Sequence, residues 1–168
     1  MIQKKLCMLG SFAVGKTSLV RRFVHSMFTD KYLTTVGVKI DSKQLTHGDK
    51  SVSLLLWDLY GEDEFQRVQT TYLRGSSGLL LVADGTRPET VDKAIELRNK
   101  AIASIGKVPH LLLMNKCDLA AQWEVSPERL RQLAASGWNI LQTSAKTGEG
   151  VEQVFLSITA LMMGDAGK

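Results

Sequence analysis

Short apolar runs alternate along the chain with segments whose apolar residues recur every three or four positions. Residues 5–9 are mostly apolar and read as a buried strand, and Leu19, Val20, Phe23 and Val24 then fall at helical spacing. This helix fades near Ser26, and residues 27–37 form a polar loop. Strand-like alternation returns at Val38 and Ile40 and weakens toward Leu45. Residues 46–50 carry turn chemistry and residues 52–57 read as a buried strand. Two strands joined by so short a loop must pair antiparallel. Asp58, Leu59, Tyr60 and Gly61 end that strand, and residues 62–75 are polar with little periodicity. Residues 78–84 and 110–114 are further buried strands; between them Pro88 opens a helix with Val91, Ala94, Ile95 and Ile102 on its inner face. Ser126, Pro127 and Glu128 read as a capped helix start, and that helix stops near Gly137. Residues 139–143 form a last short strand. Residues 149–163 form a closing helix with Val151, Val154, Phe155, Ile158, Leu161 and Met162 on one face. Met162 and Met163 suit core packing better than a binding patch.

Strands that alternate with helices predict an α/β fold with a mostly parallel sheet. Residues 79–83 show no period-two alternation, as expected of a strand covered on both faces. Ligands of such sheets lie at the carboxyl ends of the strands. Gly10, Asp58, Asp84 with Gly85, Asn115 and Ser144 all fall at such ends, so they point to one shared site.

Composition narrows the class. At 168 residues the chain is expected to be one domain with a real core, and 44% hydrophobic with 23% charged residues is ordinary for a globular protein. The net charge of +4 comes from scattered Lys and Arg, without the stripe that nucleic-acid binding needs, so no nucleic-acid partner is expected. Cys7 and Cys117 form neither a disulfide framework nor a metal-ligand spacing, which suggests a reducing, cytoplasmic setting. No apolar run approaches the ~18 residues of a membrane span. Residues 164–168 lack the cysteine that prenylation requires.

The candidate chemistry begins at Gly10-Ser11-Phe12-Ala13-Val14-Gly15-Lys16-Thr17, which fits G-x-x-x-x-G-K-[ST] between a strand and a helix. In that setting backbone N–H groups point at a bound phosphate and the helix N-terminus adds partial positive charge. Phe12, Ala13, Val14, Gly15, Lys16, Thr17 and Ser18 are the expected phosphate-side contacts. Lys16 can reach the β- and γ-phosphates, and the Thr17 hydroxyl can hold Mg²⁺. Asp58 ends a buried strand where a carboxylate can help hold Mg²⁺, and the Gly61 N–H can meet a γ-phosphate unobstructed.

Asn115-Lys116-Cys117-Asp118 matches N-K-x-D, the guanine-recognition motif of GTPases. The Asp118 carboxylate can accept from both N1–H and the 2-amino group of guanine. Adenine offers neither donor, and such polar mismatches discriminate strongly. Ser144, Ala145 and Lys146 match the second base-contacting motif: the Ala145 N–H would reach guanine O6 and the Lys146 stem would lie along the base.

As a whole, residues 4–163 resemble a Ras-superfamily small GTPase, with residues 30–38 and 72–75 similar to the Rab branch. The resemblance implies a three-layer P-loop G domain: a six-stranded, mostly parallel sheet with one antiparallel edge strand and about five helices. It implies GTP or GDP with Mg²⁺ as ligands, Thr17, Thr35 and Asp58 as metal ligands, and Lys16, Gly61 and Glu62 at the hydrolytic centre. Thr34 is the adjacent alternative to Thr35. Phe28 would pack edge-on against guanine, or else simply join the core, and Tyr32 would cover the phosphates. Protein effectors and regulators would bind through residues 30–38 and 59–75, and the chain would act as a monomer.

Three departures from the family surround the γ-phosphate. Glu62 stands where the family has a glutamine that orients the attacking water. An ionised Glu62 keeps the acceptor, loses the donor and adds negative charge; two unit charges at ~4 Å and an effective dielectric near 20 interact by about 4 kcal/mol. Slow hydrolysis follows, unless Glu62 is only a solvated switch residue. Phe12 occupies a position that is often glycine; its ring either obstructs the reacting centre or lies outward. Leu59 and Tyr60 replace Thr-Ala, and Tyr60 either biases the switch or is merely exposed. The reading is therefore a guanine-nucleotide switch with slow GTP hydrolysis. The alternatives are a non-hydrolysing GTP-bound interaction module and, against the N-K-x-D motif, an adenine-nucleotide enzyme.

Overall fold

A computed structural model describes residues 1–26, 38–59 and 71–164. The strands are β1 (Ile2–Gly10), β2 (Val38–His47), β3 (Lys50–Leu59), β4 (Gly78–Asp84), β5 (His110–Asn115) and β6 (Ile140–Gln142). The helices among the described residues are α1 (Lys16–His25), α2 (Glu89–Ile105), α3 (Pro127–Ala135) and α4 (Val151–Met162), with a 3-10 segment at Cys117–Gln122. One sheet runs β2-β3-β1-β4-β5-β6. β1 pairs in parallel with both β3 and β4, and β4, β5 and β6 continue in parallel. Only β2 is antiparallel, paired with β3 from Val38↔Leu59 to His47↔Lys50. The register leaves Gly48 and Asp49 as the turn, and Gly48 has the positive φ of 62° that the first position of a II′-type hairpin needs.

Alternate residues of the central strands face opposite helical layers. Leu6, Met8, Leu54, Leu56, Leu80, Val82, Leu111 and Leu113 form one buried cluster with Leu19 and Val20 of α1 and Val154, Phe155 and Ile158 of α4. Phe23 stacks on Phe155 with ring centroids 3.9 Å apart, locking α1 to α4. On the other face Cys7, Leu9, Leu79, Leu81, Ala83, Leu112 and Met114 meet Val91, Ala94, Leu97 and Ala101 of α2. Leu130 and Leu133 of α3 pack against that second cluster. Each Leu, Val, Ile, Met or Phe among them contributes about 1.5–3 kcal/mol on removal from water, so the two cores fix the sheet between its helices.

The sequence pattern locates each described strand and α-helix but misses the 3-10 segment and misplaces some edges and faces. β1 begins at Ile2 rather than Lys5, because its polar residues still pair: Ile2↔Val52 through Lys5↔Leu55. The inner face of α2 is Val91, Ala94, Leu97 and Ala101, whereas Ile95 and Ile102 are only partly buried on its flank. Pro88 caps α2 rather than forming its first residue. Ser126 caps α3 by accepting from the Arg129 N–H at 3.1 Å. Met162 is 8% exposed within the core and Met163 packs against it.

Candidate nucleotide site

At the carboxyl end of the sheet, β1 runs into a loop that leads to α1, between its neighbours β3 and β4. β1 can end there because of Gly10: a Cβ would stand 2.5 Å from the Val82 carbonyl oxygen. Gly15 has φ 104°, and a Cβ on it would come within 2.3 Å of Asn115 Nδ2. Both positions therefore need glycine to form this cradle.

The loop's carbonyls are held one after another. Lys16 Nζ donates to Gly10 O at 3.1 Å and Ser11 O at 3.3 Å. Arg87 Nη1 donates to Phe12 O at 2.9 Å, Lys116 Nζ to Ala13 O at 3.2 Å and Asn115 Nδ2 to Val14 O at 2.9 Å. In a trans peptide the following N–H points opposite to the carbonyl. Anchored carbonyls of residues 12–14 therefore aim the N–H groups of Ala13, Val14 and Gly15 to the other side, the arrangement that binds anions.

Lys16 is 7% exposed, and burial pushes its ammonium down to about 8 against the opposing pull of Asp58. A phosphate would supply the negative charge that this buried cation favours. The Thr17 hydroxyl donates to the buried Asp58 carboxylate. Hydroxyl and carboxylate are hard oxygen donors, a pair whose chemistry fits Mg²⁺. Val14 is buried, Ser18 is partly buried, and the Phe12 ring is 44% exposed, so of its two readings it takes the outward one.

The second half of the site follows β5 and β6. Asn115 is 2% exposed; its Oδ1 accepts from Thr143 Oγ1 at 3.1 Å while its Nδ2 holds the phosphate loop. Ser144 Oγ donates to Asp118 Oδ1 at 2.8 Å and accepts from the Thr147 N–H at 3.1 Å, which orients an otherwise exposed carboxylate. Ala145 is buried and Lys146 is exposed. Lys116 carries a left-handed φ of 68°, a conformation that costs a non-glycine residue about 1–2 kcal/mol. Its surroundings hold it there: Trp123 Nε1 donates to Lys116 O at 2.9 Å, and Lys116 Nζ pairs with Asp84 at 2.7 Å. Burial would raise the Asp84 carboxyl, but the Lys116 and Thr86 hydrogen bonds outweigh it and hold it below the ordinary value. Burial, then the neighbouring Glu149 and Asp118, push the Cys117 thiol up to about 11, so it donates to Glu149 Oε2 at 3.3 Å as a neutral group.

The sequence singles out Lys16, Thr17, Asp58, Asn115, Lys116, Asp118, Ser144 and Ala145, and the fold brings them to the carboxyl end of the sheet. The expectations for Phe28, Tyr32, Thr34, Thr35, Tyr60, Gly61 and Glu62 lie outside the described residues. Arg22, Arg87 and Trp123 were missed. Arg22, on α1, donates through Nε to Ala145 O at 2.8 Å and through Nη2 to Lys146 O. No local motif marks these three, because each acts on a backbone carbonyl, which any residue supplies.

The model of the Ras family matches residues 5–163. The human Ras-related protein Rab-8B is 33% identical over 161 residues, covering 95% of this chain and 78% of the relative. The Arabidopsis thaliana Ras-related protein RABD2c is 33% identical over 158 residues, covering 93% and 78%. The Dictyostelium discoideum Ras-related protein Rab-4 is 37% identical over 162 residues, covering 95% and 78%. With such a match along nearly its whole length, the chain belongs to the Ras family of GTP-binding small GTPases, within its Rab branch.

Proposed function

We propose that this chain is a single-domain guanine-nucleotide switch that binds GTP or GDP with Mg²⁺ and hydrolyses GTP slowly. The observation that carries the reading is the position of Asn115. One buried amide bonds the phosphate loop at Val14 and the base-side strand end at Thr143, so both halves of a nucleotide site share one anchor. Among the described residues no helix is long and apolar enough to cross a membrane. The reading adds a monomer in the cytoplasm, effectors and regulators that bind through residues 30–38 and 59–75, and a role in vesicle trafficking.

In this reading the N–H groups of Ala13, Val14 and Gly15 hold the phosphates and Lys16 offsets charge on the β- and γ-oxygens. Asp118, held by Ser144, pairs with guanine N1–H and the 2-amino group, and the Ala145 N–H meets O6. Thr17, Asp58 and Thr35 would hold Mg²⁺, which when bound supplies further charge neutralisation on the phosphate oxygens. Water attacks the γ-phosphorus in line and the bond to the β–γ bridging oxygen breaks. Glu62 accepts from that water but has no proton to donate toward the transition state, so the chemical step is slow. The exposed Phe12 side chain does not favour obstruction of the reacting centre, so the reading assigns the slow step to Glu62.

Single-turnover hydrolysis by the GTP-loaded protein tests this. The expected result is a slow rate above that in solution and a rate at least tenfold higher in Glu62→Gln, since about 1.4 kcal/mol at the transition state is a tenfold change. A wild-type rate equal to solution leaves the non-hydrolysing interaction module. An unchanged or slower Glu62→Gln variant removes Glu62 as the cause.

A further inference from the structure

Arg87 lies outside every motif, yet its guanidinium reaches the phosphate loop. Its backbone is fixed at the carboxyl end of β4. The Arg87 N–H donates to Asp84 O at 2.9 Å, and Arg87 O accepts from the Thr90 N–H at 3.0 Å and from Thr90 Oγ1 at 2.7 Å. The preceding turn is held in the same way, with Thr86 N–H and Oγ1 donating to Asp84 Oδ1 at 2.9 and 2.7 Å. From this base Arg87 Nη1 donates to Phe12 O at 2.9 Å. Its other partner, Glu89 at 3.3 Å, is two-thirds exposed and holds it weakly.

The bond matters because of the next residue. Ala13 has φ 61°, a left-handed conformation that a residue with a Cβ adopts only at a cost. Flipping the peptide plane between Phe12 and Ala13 would bring that φ to about −120°, an ordinary extended value. The same flip would turn the Ala13 N–H out of the cradle. The cost at Ala13 therefore works against the plane that aims its N–H at phosphate. The neighbouring planes are pinned by Lys116 and Asn115, but the 12–13 plane has its anchor in Arg87.

We propose that Arg87 is a positioning residue for phosphate binding: it holds the Phe12 carbonyl outward and so keeps the Ala13 N–H aimed at the nucleotide. The proposal rests on the guanine-nucleotide reading above. It deepens that reading by assigning the stability of the strained peptide to a residue from β4's end.

Release of a fluorescent GDP analogue from the Mg²⁺-loaded protein tests it. Arg87→Ala is expected to release GDP and GTP about tenfold faster, with selectivity for GTP over ATP unchanged. Arg87→Lys, which keeps one donor in reach, recovers part of the loss. Ala13→Gly in the Arg87→Ala background slows release again, because glycine adopts φ 61° without cost. A general loss of structure would respond to neither rescue. Wild-type release from Arg87→Ala, or a fast rate that neither rescue slows, overturns the proposal alone. A wild-type protein that holds no guanine nucleotide overturns the functional reading and this proposal together.

Discussion

Residues 12–14 of the loop after β1 are held by side chains from the ends of β4 and β5, whereas the loops after β5 and β6 bond one another and take one further hold from Arg22 of α1. Arg87, Lys116 and Asn115 reach across from the ends of β4 and β5 to fix the carbonyls of residues 12–14. On the base side, Ser144 bonds Asp118, Thr143 bonds Asn115, and the Cys117 N–H donates to Thr143 O at 2.9 Å. The difference has a functional meaning. A phosphate cradle held from outside can lose grip when a distant anchor is altered, while the base side depends mainly on bonds between its own loops. Lys16 belongs to the first half and Asp118 to the second, and Asn115 is the amide common to both.

Removing Lys16 should break the phosphate half most completely. Two charge-assisted bonds to desolvated oxygens of the β- and γ-phosphates are together worth about 3–6 kcal/mol, so Lys16→Ala is expected to lower GTP affinity about a thousandfold in an equilibrium titration. Burial already disfavours the Lys16 cation, so the melting temperature of the nucleotide-free variant should hold or rise. Asn115→Ala cuts the link between the halves. It leaves the Val14 carbonyl and Thr143 hydroxyl without this partner at about 1–3 kcal/mol each, so denaturant unfolding should show a loss of about 2–5 kcal/mol. Its affinity for GDP and its preference for GTP over ATP should fall together.

Asp118→Ala sharpens the contrast, because it should leave phosphate binding intact. Selectivity for GTP over ATP is expected to fall about a hundredfold, with stability within about 0.5 kcal/mol of wild type because the side chain is exposed. Arg22→Ala is the mildest test. It frees the Ala145 and Lys146 carbonyls, and GDP affinity should fall about tenfold, the equivalent of about 1.4 kcal/mol, while inorganic pyrophosphate binds as before.

The elements were legible where pattern and packing coincide. Gly78–Asp84 is apolar throughout because β4 is covered on both faces, and its bounds follow from the residues alone. Gln3 and Lys4 concealed the start of β1, because their polar side chains break the apolar run while their backbone still pairs with Ser53 and Leu54. The 3-10 segment at Cys117–Gln122 has no buried residue and hence no apolar period to reveal it. In α2 the bulky Ile95 and Ile102 drew the inner face toward themselves, while the smaller Ala101 is the residue that the sheet accommodates. The motif residues of the site could be read from spacing. The anchors Arg22, Arg87 and Trp123 could not, since they recognise carbonyls, and any residue supplies a carbonyl.

Competition of GTP and ATP against a fluorescent GDP analogue bound to the wild-type protein tests the central claim, that this site selects a guanine nucleotide. With Asp118 held by Ser144, GTP should displace the analogue at a concentration about ten-thousandfold lower than ATP. Displacement by ATP within about tenfold of GTP would contradict the account.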